Sequence, residues 1–375
     1  MTATNSYMIT NRQSAGSSGT TDVVPLSGSR IDDLYWYMAG GAFNTTPGAY
    51  ITQSSNPSTT APPSFQSAIV DQLNAQTTSP RLVVYIHGLG NNWDDAIKSS
   101  QYFAKYLATS PSFGGGYPGL LVGFSWPSYE PFTSELNYAT SWPPELTSGS
   151  IRDNINGSIE SFGSLISWMQ DIRIAVPGLT ISLMCHSEGN YMAMLGMAAL
   201  SSVSIDQVIL LAADINNGAL QIPPDATNTL IGNGAKMAAL SSRVTVYFSH
   251  SDNTLALSEG SYGGIVSELT SADWHNPSYQ GRLGQCGPSY NQGYQFDNVV
   301  GLDCSAVVNY TNLNSLDLPF NPVDSEPVSL HSSYRFIPQI LADISQTLQD
   351  LPASTVDNRT PTANTNPQGY FMDPT

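Results

Sequence analysis

Ile181-Ser-Leu-Met-Cys-His-Ser-Glu-Gly-Asn-Tyr-Met192 is the stretch on which the reading of this chain turns. An apolar run leads into His186-Ser187-Glu188-Gly189, and helix-forming residues follow. That order predicts a strand, a tight turn and a helix. A serine on such a turn projects at the carboxyl end of a sheet, where it can serve as a nucleophile. The turn demands small residues two before and two after the serine. Gly189 meets the demand, and Cys185, standing where glycine is usual, is small enough to be tolerated. The helix points its amino end at the serine, which favours developing negative charge. The competing reading is an ordinary strand–helix turn that happens to carry a serine, and the flanking pattern weighs against it.

Outward from this stretch, other short apolar runs recur: Tyr7-Met-Ile, Leu82-Val-Val-Tyr-Ile, Leu120-Leu-Val-Gly-Phe, Val208-Ile-Leu-Leu and Val244-Thr-Val-Tyr-Phe. Runs this short predict strands buried on both faces, as in a parallel sheet. Helical spacing falls between them, over Phe65 to Leu73, Trp93 to Leu107, Ile155 to Met169 and Tyr191 to Leu200. Arg335 to Leu348 predicts a final helix with Pro338 in its first turn, where proline is tolerated. The alternation predicts an α/β fold, a mostly parallel doubly wound sheet with helices on both faces. Pro127 to Thr147 and Gly260 to Ser325 do not fit it and are expected as loop excursions. The second (260–325) is long enough to be a lid or substrate-binding insertion. Residues 1–350 are expected as one domain, and the polar, aperiodic residues 351–375 as an extended or flexible tail.

A second chemical signal is Leu82-Val-Val-Tyr-Ile-His-Gly-Leu-Gly, a strand ending in His87-Gly88 about one hundred residues ahead of the serine. Acyl transfer puts negative charge on a carbonyl oxygen, which needs preorganised N–H donors. The backbone N–H groups of Leu89 and Glu188 are nominated for that oxyanion hole. Five histidines make a general base approachable by elimination. His87 belongs to the oxyanion strand, where its ring props the loop. His186 adjoins the serine, so its side chain points elsewhere, and His250 closes the last strong strand. His331 and His275 are left, both compatible with the chain order serine, acid, histidine. His331 is favoured because it sits in the loop before the final helix, where the last loop of such a sheet returns over the site. His275 lies inside the long excursion beside Trp274 and reads as a surface or lid residue. Asp214 and Asp252 both follow strand ends. The acid must fix the imidazole tautomer and stabilise the imidazolium. Asp252 is favoured because its strand lies nearest the final histidine loop, and Asp214 then reads as a loop-capping or helix-starting carboxylate. The aromatic residues Trp126, Tyr129, Trp142, Trp274, Tyr290 and Tyr294 read equally as an acyl pocket or as loop anchors.

Composition narrows the partners. The 375 residues carry 12 Lys+Arg against 29 Asp+Glu, a formal net charge of −17, and 41% are hydrophobic. Only 11% are charged, against about 25% in an average chain. The apolar content supports a sizeable core. The acidic balance, without a Lys/Arg cluster, argues against nucleic acid and anionic membrane surfaces and favours a neutral substrate. No apolar run reaches about 18 residues, so no integral membrane association is expected. The opening Met1-Thr-Ala-Thr-Asn-Ser-Tyr-Met lacks the pattern of a secretory signal. Abundant Ser, Thr and Asn nevertheless suit an exported mature protein, and both localisations stay open. Cys286 and Cys304 share a loop-rich stretch in which a disulfide and two free thiols are equally open. There is no H-E-x-x-H, C-x-x-C, Walker A or post-strand G-x-G-x-x-G, so neither metal nor cofactor is expected.

Several blocks together resemble a bacterial branch of the α/β-hydrolase superfamily, serine hydrolases of unknown function. Tyr7-Met-Ile-Thr-Asn-Arg is similar to its opening strand, His87-Gly88 to its oxyanion strand, and Phe124-Ser-Trp-Pro-Ser to its most distinctive block. Cys185-His-Ser-Glu-Gly-Asn is similar to Ala-His-Ser-Met-Gly-Asn, with Glu188 in place of methionine. Val208 to Ile215, Tyr247 to Ser258, Arg282-Leu-Gly and His331-Ser-Ser-Tyr complete the order, and the resemblance spans about residues 6 to 348. It implies an esterase- or lipase-like carboxylic ester hydrolase with Ser187, Asp252 and His331 as nucleophile, acid and base. A small-molecule or lipid-like neutral ester is then the expected substrate. The alternatives are a peptidase, thioesterase or acyltransferase on the same fold, or a catalytically silent binding protein.

Overall fold

The apolar runs become the middle of one large sheet because each has a hydrophobic layer on either side to fill. In the computed structural model, residues 6–11, 35–39, 51–52, 63–76, 79–89, 91, 95–97, 99–101, 103–104, 119–126, 128, 151–222, 234–255, 281–289, 296–311, 330–365 and 368–374 are described. The strands are β1 (Ser6–Thr10), β2 (Tyr35–Ala39), β3 (Ile51–Thr52), β4 (Arg81–Ile86), β5 (Leu120–Ser125), β6 (Thr180–His186), β7 (Ile205–Leu211), β8 (Ser241–Phe248), β9 (Val299–Asp303), β10 (Arg359–Thr365) and β11 (Gln368–Met372). They form one sheet in the order β10-β11-β9-β8-β7-β6-β4-β5-β1-β2-β3. From β1 across to β11 every neighbouring pair is parallel, while β1–β2, β2–β3 and β10–β11 are antiparallel.

Side chains alternate across the strands, so the sheet feeds two cores. Leu82, Val84, Ile86, Leu183, Cys185, Val208 and Val246 join one core with helices α1 (Pro63–Asn74), α2 (Ile151–Ala175) and α3 (Glu188–Ala198). On the other face Val83, Tyr85, Met184, Ile209 and Tyr247 meet Ile340, Leu341, Ile344 and Leu348 of helix α4 (Pro338–Leu348). Helices cover both faces, and the α/β-hydrolase architecture expected from the sequence is the one observed. Residues 95–97, 99–101 and 103–104 are helical within the expected Trp93 to Leu107 helix. Ile155, placed on the apolar face of α2, lies outside the side chains described.

Two expectations are corrected. Residues 351–375 are not a free polar tail: β10 and β11 pair with each other, and β11 joins β9 in parallel. Polarity was misleading because an edge strand needs little apolar surface and tolerates a proline such as Pro361. Likewise Val299–Asp303, inside the expected excursion, is a sheet strand. The rest of that excursion, including the lid expected there, and residues 129–147 lie largely outside the described residues. None of the three cysteines is in a disulfide.

Candidate active site

Ser187 stands between β6 and α3 with φ 54° and ψ −128°. A non-glycine residue there is strained by about 1–3 kcal/mol, and the surrounding hydrogen bonds hold it in place. Its N–H donates to Leu211 at 3.0 Å, and its carbonyl accepts from the N–H groups of Asn190 (3.0 Å) and Asp214 (3.3 Å). The Asn190 side chain also donates to that carbonyl at 2.8 Å. The small residue after the turn is required by contact: a Cβ on Gly189 would stand 2.5 Å from the His87 carbonyl oxygen. A Cβ on Gly88 would stand 2.7 Å from the Ser187 Cβ. The elbow and the β4 end therefore touch through two glycines.

His331 lies in a short 3-10 turn, Leu330–Arg335, just ahead of α4. Its Nε2 is 2.8 Å from Ser187 Oγ, and its Nδ1 is 2.8 Å from Asp252 Oδ2. The carboxylate can only accept, so Nδ1 carries the proton and Nε2 is left to receive one from the serine. Asp252 follows β8 and is fully buried. Its second oxygen accepts from the Leu255 N–H at 3.2 Å, which fixes the carboxylate plane. Burial alone would lower the His331 pKa. The charge and hydrogen bond of Asp252, helped by Asp214 and opposed by Arg335, more than offset it and leave the imidazole above its ordinary value.

The structure thus brings together Ser187, Asp252 and His331. Glu188 is buried and opens α3, so its N–H belongs to the helix end that faces outward from the helical ladder. Leu89 is half-buried beside the elbow. Asp214, expected as a loop-capping or helix-starting carboxylate, starts no helix and in its loop pairs with Arg282, Oδ1 to Nε at 3.1 Å. Trp126 is wholly buried and stacked on His87, with ring centroids 5.9 Å apart and planes at 7°, so it anchors a loop. His250 is exposed and lies 3.5 Å from Asp303. His275, Tyr129, Trp142, Trp274, Tyr290 and Tyr294 lie outside the described residues.

His186, set aside because it adjoins the serine, is part of the site, its ring centroid 5.0 Å from that of His331. Its Nε2 donates to the main-chain carbonyl of His331 at 3.0 Å. Burial, then the nearby His331 and Arg335, hold its pKa well below the usual imidazole value. One strand end therefore carries both the serine and a neutral clamp on the histidine loop. No local signal reveals this partner, which stands far along the chain.

The family described as "Alpha/beta hydrolase of unknown function (DUF900)" matches residues 61–317. No curated protein matches. Among solved structures the chain is similar to a novel cutinase-like protein from Cryptococcus sp., at 9% identity over 52% of this chain and 98% of that one, with a TM-score of 0.27. It is also similar to a cutinase of Trichoderma reesei, at 14% identity over 51% and 76% of the two chains, with a TM-score of 0.24. Likenesses this loose fix neither activity nor substrate.

Proposed function

Because the chain belongs to the family of α/β hydrolases of unknown function, DUF900, we propose that it hydrolyses neutral carboxylic esters by acyl transfer to Ser187. The observation that best supports this reading is the His331 ring, hydrogen-bonded at 2.8 Å to the serine on one side and at 2.8 Å to the buried Asp252 on the other. His331 takes the Ser187 proton as Oγ bonds to the ester carbon. The carbonyl oxygen becomes an oxyanion facing the N–H groups of Leu89 and Glu188. His331 then gives the proton to the leaving alkoxide, which departs as alcohol. Water, deprotonated by the same ring, attacks the acyl carbon. The bond to Ser187 Oγ breaks, the ring returns the proton to that oxygen, and the carboxylic acid is freed. Asp252 holds the tautomer and stabilises the imidazolium. Residues 1–350, with β10 and β11 added to the same sheet, serve as one hydrolase unit in this reading, and the net charge of −17 disfavours acidic substrates.

The reading is tested with p-nitrophenyl esters of graded chain length, set beside a thioester and an amide. Ester turnover should dominate. Turnover of the amide alone would sink it. A His331→Ala protein that works while His275→Ala fails would overturn the choice of base.

A pH profile follows from the raised His331 pKa. As pH falls, the ring takes a proton and can no longer accept one from Ser187. The acidic limb of kcat/KM should therefore have its midpoint above the ordinary imidazole value of about 6.5. Asp252→Asn should move that midpoint down, because the carboxylate is what raises the imidazole. A wild-type limb below the ordinary value is the contrary result.

A further inference from the structure

Resting on the Ser187 reading, we propose that His87 and Asn91 are positioning residues that aim the Leu89 N–H at the oxyanion, and that the Phe124-Ser-Trp-Pro-Ser block acts through them.

The carbonyl oxygen of Gly88 lies 2.8 Å from His87 Nδ1 and 3.1 Å from Asn91 Nδ2. The ring's tautomer is set by Trp126, whose backbone N–H can only donate and meets His87 Nε2 at 3.3 Å. Nε2 therefore accepts, the proton sits on Nδ1, and Nδ1 donates to Gly88. The carbonyl of Gly88 and the N–H of Leu89 belong to one planar trans peptide and point in opposite directions. Holding the carbonyl towards His87 and Asn91 aims the N–H away from them. This peptide is also a neighbour of the nucleophile, since Gly88 backs onto the Ser187 Cβ.

The block built around Trp126 supports both donors. Trp126 Nε1 donates to the His87 carbonyl at 2.8 Å, and the two rings stack. The Ser125 hydroxyl lies 3.2 Å from His87 Nε2. Ser128 Oγ accepts from the Asn91 N–H at 3.3 Å and donates to the Asn91 carbonyl at 3.1 Å. The Asn91 side chain also reaches the Leu89 carbonyl at 3.0 Å, fixing the next peptide. Residues on β5 and beyond it thus preset a backbone donor on the neighbouring strand end. A donor that needs no reorientation during reaction is worth most in the transition state.

Asn91→Ala and His87→Phe should each lower kcat by about 10–100-fold with little change in KM, less than the loss of a whole donor. His87→Gln, which keeps an N–H donor, should recover part of the loss. The readout specific to this role is a trifluoromethyl ketone adduct on Ser187, followed by fluorine NMR against pH. The hemiketal hydroxyl should ionise at higher pH in Asn91→Ala and His87→Phe than in the wild type. An adduct that ionises at the same pH in all three proteins overturns the inference and leaves Ser187 as nucleophile. Failure of the wild type to form any adduct overturns the Ser187 reading beneath it.

Discussion

Ser187→Ala is expected to lower turnover of a p-nitrophenyl ester by about three to six orders of magnitude while leaving the protein folded. Among the described residues the serine's Oγ hydrogen-bonds to the His331 ring, and its removal leaves a small, tolerable gap. The backbone bonds of residue 187 to Leu211, Asn190 and Asp214 do not involve the side chain and persist. Chemistry therefore fails without collapse of the elbow. Labelling by a fluorophosphonate should vanish with it. His331→Ala should cost a comparable factor, and the double variant little more, because residues acting as a unit do not contribute additively. Activity of Ser187→Ala within tenfold of the wild type would place the nucleophile elsewhere.

Arg359→Met should be the most destabilising single change at the sheet edge, by about 3–5 kcal/mol. Its guanidinium meets Asp343 with both prongs, Nε to Oδ2 at 2.7 Å and Nη2 to Oδ1 at 2.6 Å, with 1% and 2% of the two side chains exposed. Tyr247 donates to the same carboxylate at 2.6 Å, and Thr347 accepts from Arg359 at 2.8 Å. Removing the cation leaves a buried carboxylate without its counter-charge, whose desolvation is no longer offset. Replacing both partners, as Arg359→Met with Asp343→Leu, removes that penalty and should recover most of the loss. Thermal unfolding of the single variant should come about 4–6 °C earlier. Equal melting of the single variant and the wild type would show that the ion pair contributes nothing net.

Much of the site was legible because its chemistry constrains the residues locally. A tight turn needs Gly189, a close backbone approach needs Gly88, and both appear as glycines beside apolar runs. Scarce histidines narrowed the candidates for a base, and Asp252, just past a strand end, lies 2.8 Å from His331. The part played by His186 is non-local and leaves no mark in its own sequence neighbours: only tertiary structure places the His331 carbonyl against its ring. The buried middle strands were legible from continuous apolar runs. Of the antiparallel additions at one edge, Ile51–Thr52 is too short to carry such a run, while Tyr35-Trp-Tyr-Met-Ala39 is a continuous apolar run absent from the expected strands. Arg359–Thr365 carries no such run, and its contribution lies in one buried cation rather than in periodic apolar residues.

The position of β11 between β9 and β10 has a consequence for biosynthesis. β9 meets its outer neighbour only once residues 368–372 have been made, more than sixty residues after its own synthesis. Until then its backbone donors and acceptors form an open template for any extended chain nearby, nascent copies included. The stretch whose polar composition reads as an extended or flexible tail is thus the one that blunts the sheet, and a protein shortened ahead of Arg359 would offer that template permanently.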